Sequence, residues 1–487
     1  MNTPFDTLQP TQLWQHFYSL TQIPRPSGHT EKVRQFLVDF GKKLGLEALT
    51  DKAGNVLIRK PATAGMENRK PVILQAHMDM VPQKNTGIGH DFEKDPLQVF
   101  VDGDWVKAKD TTLGADNGIG VAAALAVLES KELVHGSIEA FFTMDEETGM
   151  FGAFGLKKGF LKGNILLNLD SEQEGELFVG CAGGMDADIT FRFMPEELPE
   201  GDVALKVSLT GLLGGHSGLD IQQERANANK LMIRFLKIAV AEYEARLASI
   251  SGGSLRNAIP REAFAVITVP SDGVQDIIDL VSETEDLFNE EYEGLENNIC
   301  LSVETVSLPE FVLPEEVQDD LINAIYGAPN GVFRHIPQIP SVVETSNNLA
   351  IVQTEEKKIT IKYLIRSAVE SKKYELCSML ESVYSLAGAK VEFVGGYPAW
   401  QPNFDSPILK EMKEIYQRKW SQEPVVKVIH AGLECGILGA TEPHLDMISF
   451  GPTVCHPHSP DEKVNIPSVL KFWYFLIGTL ENIPTKE

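Results

Sequence analysis

Cysteine is scarce in this chain: five in 487 residues, Cys181, Cys300, Cys377, Cys435 and Cys455, scattered and without a CxxC pair. That excludes a disulfide framework and a thiolate zinc site, and it fits a reducing cytosol. Positive charge is scarce too, with 43 Lys and Arg against 69 Asp and Glu and a formal net charge of -26. Such a surface repels phosphate backbones and anionic bilayers, so neither nucleic acid nor membrane is expected as a partner. Long apolar runs are missing, the longest lying near 118–128 and falling far short of a membrane span. The opening stretch, MNTPFDTLQPTQLWQHF, lacks a basic start followed by an apolar core. No signal peptide is read there, and a cytoplasmic location is expected.

What remains is the composition of a globular enzyme, 43% hydrophobic and 23% charged, in a chain long enough for two domains. Two amphipathic helices are expected in 11–45, separated by the breaker Pro24-Arg25-Pro26-Ser27-Gly28. Strands are read at Asn55–Arg59, Pro71–Ala76, Ser137–Met144 and Asn164–Leu169, with an Ala-rich helix at Gly118–Glu129 and another near Gly149–Lys158. Strands alternating with helices predict an α/β layered sheet.

Beyond Gly183-Gly184 the strands alternate apolar and polar residues, as in Ala187–Phe193, Ala204–Leu209 and Lys358–Ile365, with long helices between them. Alternation predicts a half-exposed sheet, a different architecture from the first block. The first texture returns after Gly395-Gly396-Tyr397-Pro398. The reading is one α/β domain made from residues 1–184 and 398–487, interrupted by an inserted α+β domain at 185–397. Hinges are expected at the two Gly-Gly pairs, because glycine tolerates a change of dihedral angle.

Five clusters carry candidate chemistry. His77-Met78-Asp79 follows a buried strand, and residues two apart on an extended segment face the same way, so an aspartate can orient an imidazole that binds metal. Asp116 sits in a Gly-Ala-Asp-Asn-Gly turn before a helix, where alone it reads as a cap. Asp145-Glu146-Glu147 closes a strand, and adjacent acids repel one another unless a cation is near. Asp170 follows another buried strand, and His458 lies in His-Ser-Pro-Asp-Glu, with His456 as an alternative that spacing does not separate from it. Open α/β sheets place their sites at strand carboxyl ends. Two imidazoles and several carboxylates without thiolates suit a pair of divalent ions such as zinc. A dinucleotide-type GxGxxA at Gly118, Gly120 and Ala123 lacks the buried strand that should precede it.

These pieces, in this order, resemble the co-catalytic di-zinc metallopeptidase family that includes carboxypeptidase G, aminoacylases and carnosinases, and within it the branch of aminoacyl-histidine dipeptidases. The resemblance implies a zinc-exopeptidase-like catalytic domain with a mixed sheet flanked by helices, and a lid domain for substrate binding and dimerisation. It implies that Asp116 bridges two Zn2+, that His77 and Asp170 complete one shell and Glu147 and His458 the other, and that Co2+ or Mn2+ substitutes. Asp79 would orient His77, and Glu146 would be the general base. His216 in Gly214-Gly215-His216-Ser217-Gly218, Asn257 and Arg366 would contact substrate, and the loop His430–Gly436 would line its pocket. The implied reaction is hydrolysis of short unblocked peptides, Xaa-His dipeptides including β-Ala-His, by a homodimer. The alternatives carried alongside are an N-acyl amino acid deacylase and a metal-binding scaffold without catalysis.

Overall fold

A computed structural model describes residues 3–486. The chain divides into two compact units. One runs to Gly180 and takes up Pro402–Val428 and the chain from Leu433 onward; the other comprises Cys181–Gln401 and Ile429–Gly432.

The first unit is built on an eight-stranded sheet in the order Glu47–Thr50, Val56–Lys60, Ile138–Thr143, Val72–His77, Ile165–Asn168, Asp446–Ser449, Glu176–Cys181, Val425–Ile429. The four central strands, from Ile138–Thr143 to Asp446–Ser449, run parallel. Their first three members are buried along their whole length. That explains their near-continuous apolar sequence, since a central parallel strand is covered on both faces. The helix Ala115–Glu129 packs beside them and is buried over almost all of its length, which is why its sequence is Ala-rich rather than amphipathic. A separate four-stranded sheet joins the hairpin Val454–Cys455/Lys463–Asn465 to Trp105–Ala108 and Val99–Asp102. It ties the segment carrying His458 to the segment that leads into the Asp116 turn.

The second unit is a nine-stranded sheet whose pairings are antiparallel, with the long helices Ala228–Tyr243, Val274–Glu291 and Glu370–Leu386 packed on it. Its strands bury alternate residues, as in Asp202–Thr210, so the period-two pattern in the sequence marks a sheet with one covered face. A two-residue ribbon pairs Gly215–His216 with Ala258–Ile259.

The expected glycine hinge at Gly183-Gly184 is corrected. Both residues lie in the strand Gly183–Arg192, paired with Ser367 and Arg366 on one side and with Tyr397 on the other, and neither has a positive φ. A Cβ on Gly184 would sit 2.4 Å from the Tyr397 ring, and one on Gly183 2.6 Å from the amide of Ala399. Glycine is used there for close approach. Only Gly395, at φ 63°, uses the left-handed region.

Candidate metal centre

Successive parallel strands deliver the acids and imidazoles to one edge of the first unit. His77 ends its strand, the loop after Ile138–Thr143 carries Asp145-Glu146-Glu147, and the loop after Ile165–Asn168 carries Asp170. The Gly114–Gly118 turn brings in Asp116, which has non-helical backbone angles although it opens the helix.

Asp116 stands between the two histidines. Its Oδ1 lies 2.9 Å from Nε2 of His77, and its Oδ2 lies 3.2 Å from Nε2 of His458. His77 Nε2 is also 3.4 Å from Asp170 Oδ1, and His458 Nε2 is 3.0 Å from Glu147 Oε2. Asp79 turns back to His77 Nδ1 at 3.4 Å and accepts hydrogen bonds from the amides of Glu146 and Glu147 and from the Ser27 hydroxyl, the last at 2.7 Å. The ligand atoms of His77, Asp116 and Asp170 lie within 4.8 Å of one another, as do those of Asp116, Glu147 and His458, and those of His77, Glu146 and Glu147. His77, Asp79, Asp116, Glu146, Glu147, Asp170 and His458 are therefore gathered in one place. Of the two neighbouring histidines, His458 and not His456 stands in these groups.

The electrostatics are those of crowded like charges. Burial, with Asp170, Glu434 and Glu147 nearby, pushes Glu146 well above the usual carboxylate range, and burial also raises Glu147 and Asp170. Asp116 goes the other way: against its burial, hydrogen bonds from His458 and His77 hold it well below the usual value. Hydrogen bonds to Asp116 and Glu147 push His458 up to about 11.

The glycines of GxGxxA serve packing. A Cβ on Gly120 would fall 2.6 Å from the carbonyl of Leu169, and one on Gly118 would fall 2.6 Å from Arg25. The helix therefore crowds the Asp170 loop, leaving no phosphate cradle.

In the second unit, His216 accepts from the amides of Gly218 and Leu219 at Nδ1, at 3.1 and 3.0 Å. Nδ1 is thereby the acceptor, and the proton of the neutral ring sits on Nε2 as a donor. Burial and the Arg366 charge lower the pKa of His216, keeping it neutral. Asn257 is exposed beside it, its carbonyl accepting from the amide of Ser217 at 2.8 Å. Arg366 is buried, with Nη1 donating to Tyr397 Oη at 2.9 Å and with Nε lacking a hydrogen-bond partner. His430 packs in the same unit, its Nε2 2.7 Å from Ser346 Oγ; burial, then Arg366 and His216, drive it down to about 3.

Sequence reasoning passed over Arg25, Ser27, Tyr397 and Glu462, and gave Glu434 no role beyond its place in the loop His430–Gly436. Glu434 is buried beneath the His77 strand, accepting from Gln75 Nε2 at 2.6 Å and Thr143 Oγ1 at 2.7 Å, and burial pushes it up to about 7. Gln75 was visible as the one polar residue of the expected strand Pro71–Ala76, and a buried amide needs a polar partner. Glu462 accepts from four amides of the Asp116 turn, and burial pushes it up to about 7.

Residues 73–482 match peptidase family M20/M25/M40. The chain belongs to that family. It is 48% identical, over 98% of its own length and 99% of the relative's, to the cytosol non-specific dipeptidase of Escherichia coli (strain K12). The crystal structure of the aminoacylhistidine dipeptidase from Vibrio alginolyticus superposes with a TM-score of 0.96 at 48% identity, covering 100% of this chain and 99% of that one. Aminopeptidase PepT from Bacillus cereus, at 14% identity and a TM-score of 0.59 over 98% of this chain and 99% of its own, shares the fold. As an M20 peptidase the chain is a hydrolase of peptide bonds, with the mixed α/β fold of its family. Among the described residues no helix is long and apolar enough to cross a membrane.

Proposed function

We propose that this protein is a metal-dependent cytosolic dipeptidase that cleaves short unblocked peptides, Xaa-His dipeptides including β-Ala-His among them. The carrying observation is the Asp116 carboxylate, with one imidazole on each of its oxygens and Glu146 in the same cluster. The likeness to two dipeptidases over nearly the whole chain supports the same reading.

The donor set fits divalent ions. Glu147 Oε1 is buried without a hydrogen-bond partner, and four carboxylates crowd two imidazoles, an arrangement that cations relieve. Two Zn2+ are proposed, with Co2+ or Mn2+ able to substitute. Asp116 would be shared between them, with His77 and Asp170 on one and Glu147 and His458 on the other. Bound there, such ions lower the pKa of water toward ~7 and polarise a carbonyl.

The chain's own residues do the rest. Asp79 orients His77 through Nδ1, as outer partners of ligating histidines do. Glu146 takes the proton of the attacking water on its carboxylate and returns it to the leaving amine. His216 offers its Nε2–H to the developing oxyanion, a contribution of about 3 kcal/mol for a well-aimed donor. Arg366, held by Tyr397, grips the peptide's free carboxylate, and Asn257 adds a polar contact. In this reading residues 185–397 are the lid domain and 1–184 with 398–487 the catalytic domain, and the protein works as a homodimer.

The test is purified protein, freed of metal and then titrated with Zn2+, assayed on Ala-His, β-Ala-His and N-acetylhistidine. Zinc-dependent cleavage of the free dipeptides with little action on the acetylated one is expected. The reverse preference would make the protein a deacylase, and metal uptake without hydrolysis would make it a scaffold. Light scattering of the same preparation measures the oligomeric state.

A further inference from the structure

Two charged side chains of the first unit are buried beside the acid cluster but belong to none of the groups that could hold an ion: Arg25, 1% exposed, and Glu462, 2% exposed. Both are bonded to the same short turn. Glu462 Oε2 accepts from the amides of Leu113 and Gly114 at 2.7 and 2.9 Å, and Oε1 accepts from those of Ala115 and Asp116 at 2.7 and 3.2 Å. Arg25 Nη2 donates to the carbonyl of Gly114, while Nη1 reaches the carbonyls of Met78 and Asp79 at 3.1 and 2.7 Å. We propose that Arg25 and Glu462 are positioning residues for the metal centre, gripping the 113–116 turn between a buried cation and a buried anion so that Asp116 faces both His77 and His458 before any ion binds. The proposal rests on the metal-centre reading above.

Three features support it. The first is connectivity. Arg25 joins the strand exit at Met78-Asp79 to the Asp116 turn, and Glu462, four residues after His458, joins the His458 loop to that turn. Three segments far apart in sequence are thus tied through two side chains. The second is the turn's own composition. A Cβ on Gly114 or on Gly118 would lie 2.6 Å from Arg25 Nη2, so the glycines on either side of Asp116 leave room for the guanidinium. The third is chemical form. Glu462 has both oxygens facing only amide donors, leaving nowhere to aim a proton, so the carboxylate is what fits. Arg25 needs a planar fork to reach three carbonyls, and an ammonium lacks that shape. Its charge also lies close to Asp79, Asp116 and Glu147, which tempers repulsion among the acids.

The experiment uses full-length Glu462→Gln, Arg25→Lys and Gly118→Ala proteins. Glutamine turns an N–H2 group toward amide donors. Alanine at 118 suits a helix but drives a methyl against Arg25, so it tests the grip should either charge variant fail to fold. Zn2+ affinity is measured by calorimetry, and kcat and KM on Ala-His at saturating zinc. Folded variants are expected to bind zinc about 10–100-fold more weakly, as loss of an outer partner does. Their kcat should fall by a similar factor while KM stays within about threefold of wild type. Folded variants that match wild type in both zinc affinity and kcat would overturn the proposal. So would a loss of kcat with zinc affinity unchanged. Wild-type protein that takes up no zinc would instead defeat the metal-centre reading itself.

Discussion

The two units solve opposite electrostatic problems. In the first, parallel strand ends converge and force acids together; burial raises Glu146, Glu147 and Asp170, and neighbouring acids add to the rise in each. In the second, antiparallel strands and a two-residue ribbon collect Arg366, His216 and His430, and there burial and the Arg366 charge hold both imidazoles toward the neutral form. One concentrates negative charge and calls for cations. The other holds one fixed cation among neutral donors and calls for an anion, such as a peptide carboxylate. The lesson is that topology chooses the sign: parallel sheets aim loop residues at a point, while antiparallel sheets spread side chains over a face.

The contrast can be broken from either side. The largest effect is expected for Glu146→Gln, which should lower kcat on Ala-His by about 10²–10⁴-fold, with zinc stoichiometry by calorimetry unchanged. Full activity in that variant would remove the proton-handling role. Next comes Arg366→Met, expected to lower kcat/KM for Ala-His by roughly 10–100-fold through loss of a charged hydrogen bond. The same change should affect Ala-His amide far less, and steady-state kinetics on the pair checks it. An equal loss on both substrates would separate Arg366 from carboxylate recognition.

Tyr397→Phe removes only the hydroxyl that holds Arg366 and should raise KM by about fivefold, the value of one ordinary hydrogen bond. A further effect, on stability rather than turnover, concerns acid. His430 has its folded pKa lowered to about 3, against an unfolded value near 6.5. Its contribution is therefore fully present above pH 6.5 and is lost as pH falls from there toward 3. His430→Gln should shrink the stability difference between pH 7 and pH 4.5 by more than about 1 kcal/mol, as read by urea unfolding of metal-free protein. No change would mean that the ring takes up its proton at the same pH in the folded chain as in the unfolded one.

Much of this was legible in the sequence, for physical reasons. Continuous apolar runs such as Val72–Ala76 betray strands covered on both faces, and polar residues directly after them mark the strand ends where sites form. His77, Asp116, Glu146, Glu147, Asp170 and His458 could be singled out because carboxylates and imidazoles recur at such ends. Arg25 could not, since its loop of prolines and glycine looks like an ordinary breaker and its three acceptors are backbone carbonyls, which have no sequence signature. Glu462 was hidden likewise, its partners being amides about 350 residues away along the chain. Gly183 and Gly184 were misread because glycine for flexibility and glycine for close packing are spelled identically.

One strand pairing has a consequence for biosynthesis. The strand Asp446–Ser449 lies between Ile165–Asn168 and Glu176–Cys181, inside the sheet rather than at its edge. A ribosome that has made residue 181 has released both neighbours with a gap between them. At about 5–20 residues per second, the wait for the missing strand is on the order of tens of seconds. Through that interval the sheet of the first unit is incomplete, and His458 is made only after the strand that fills it.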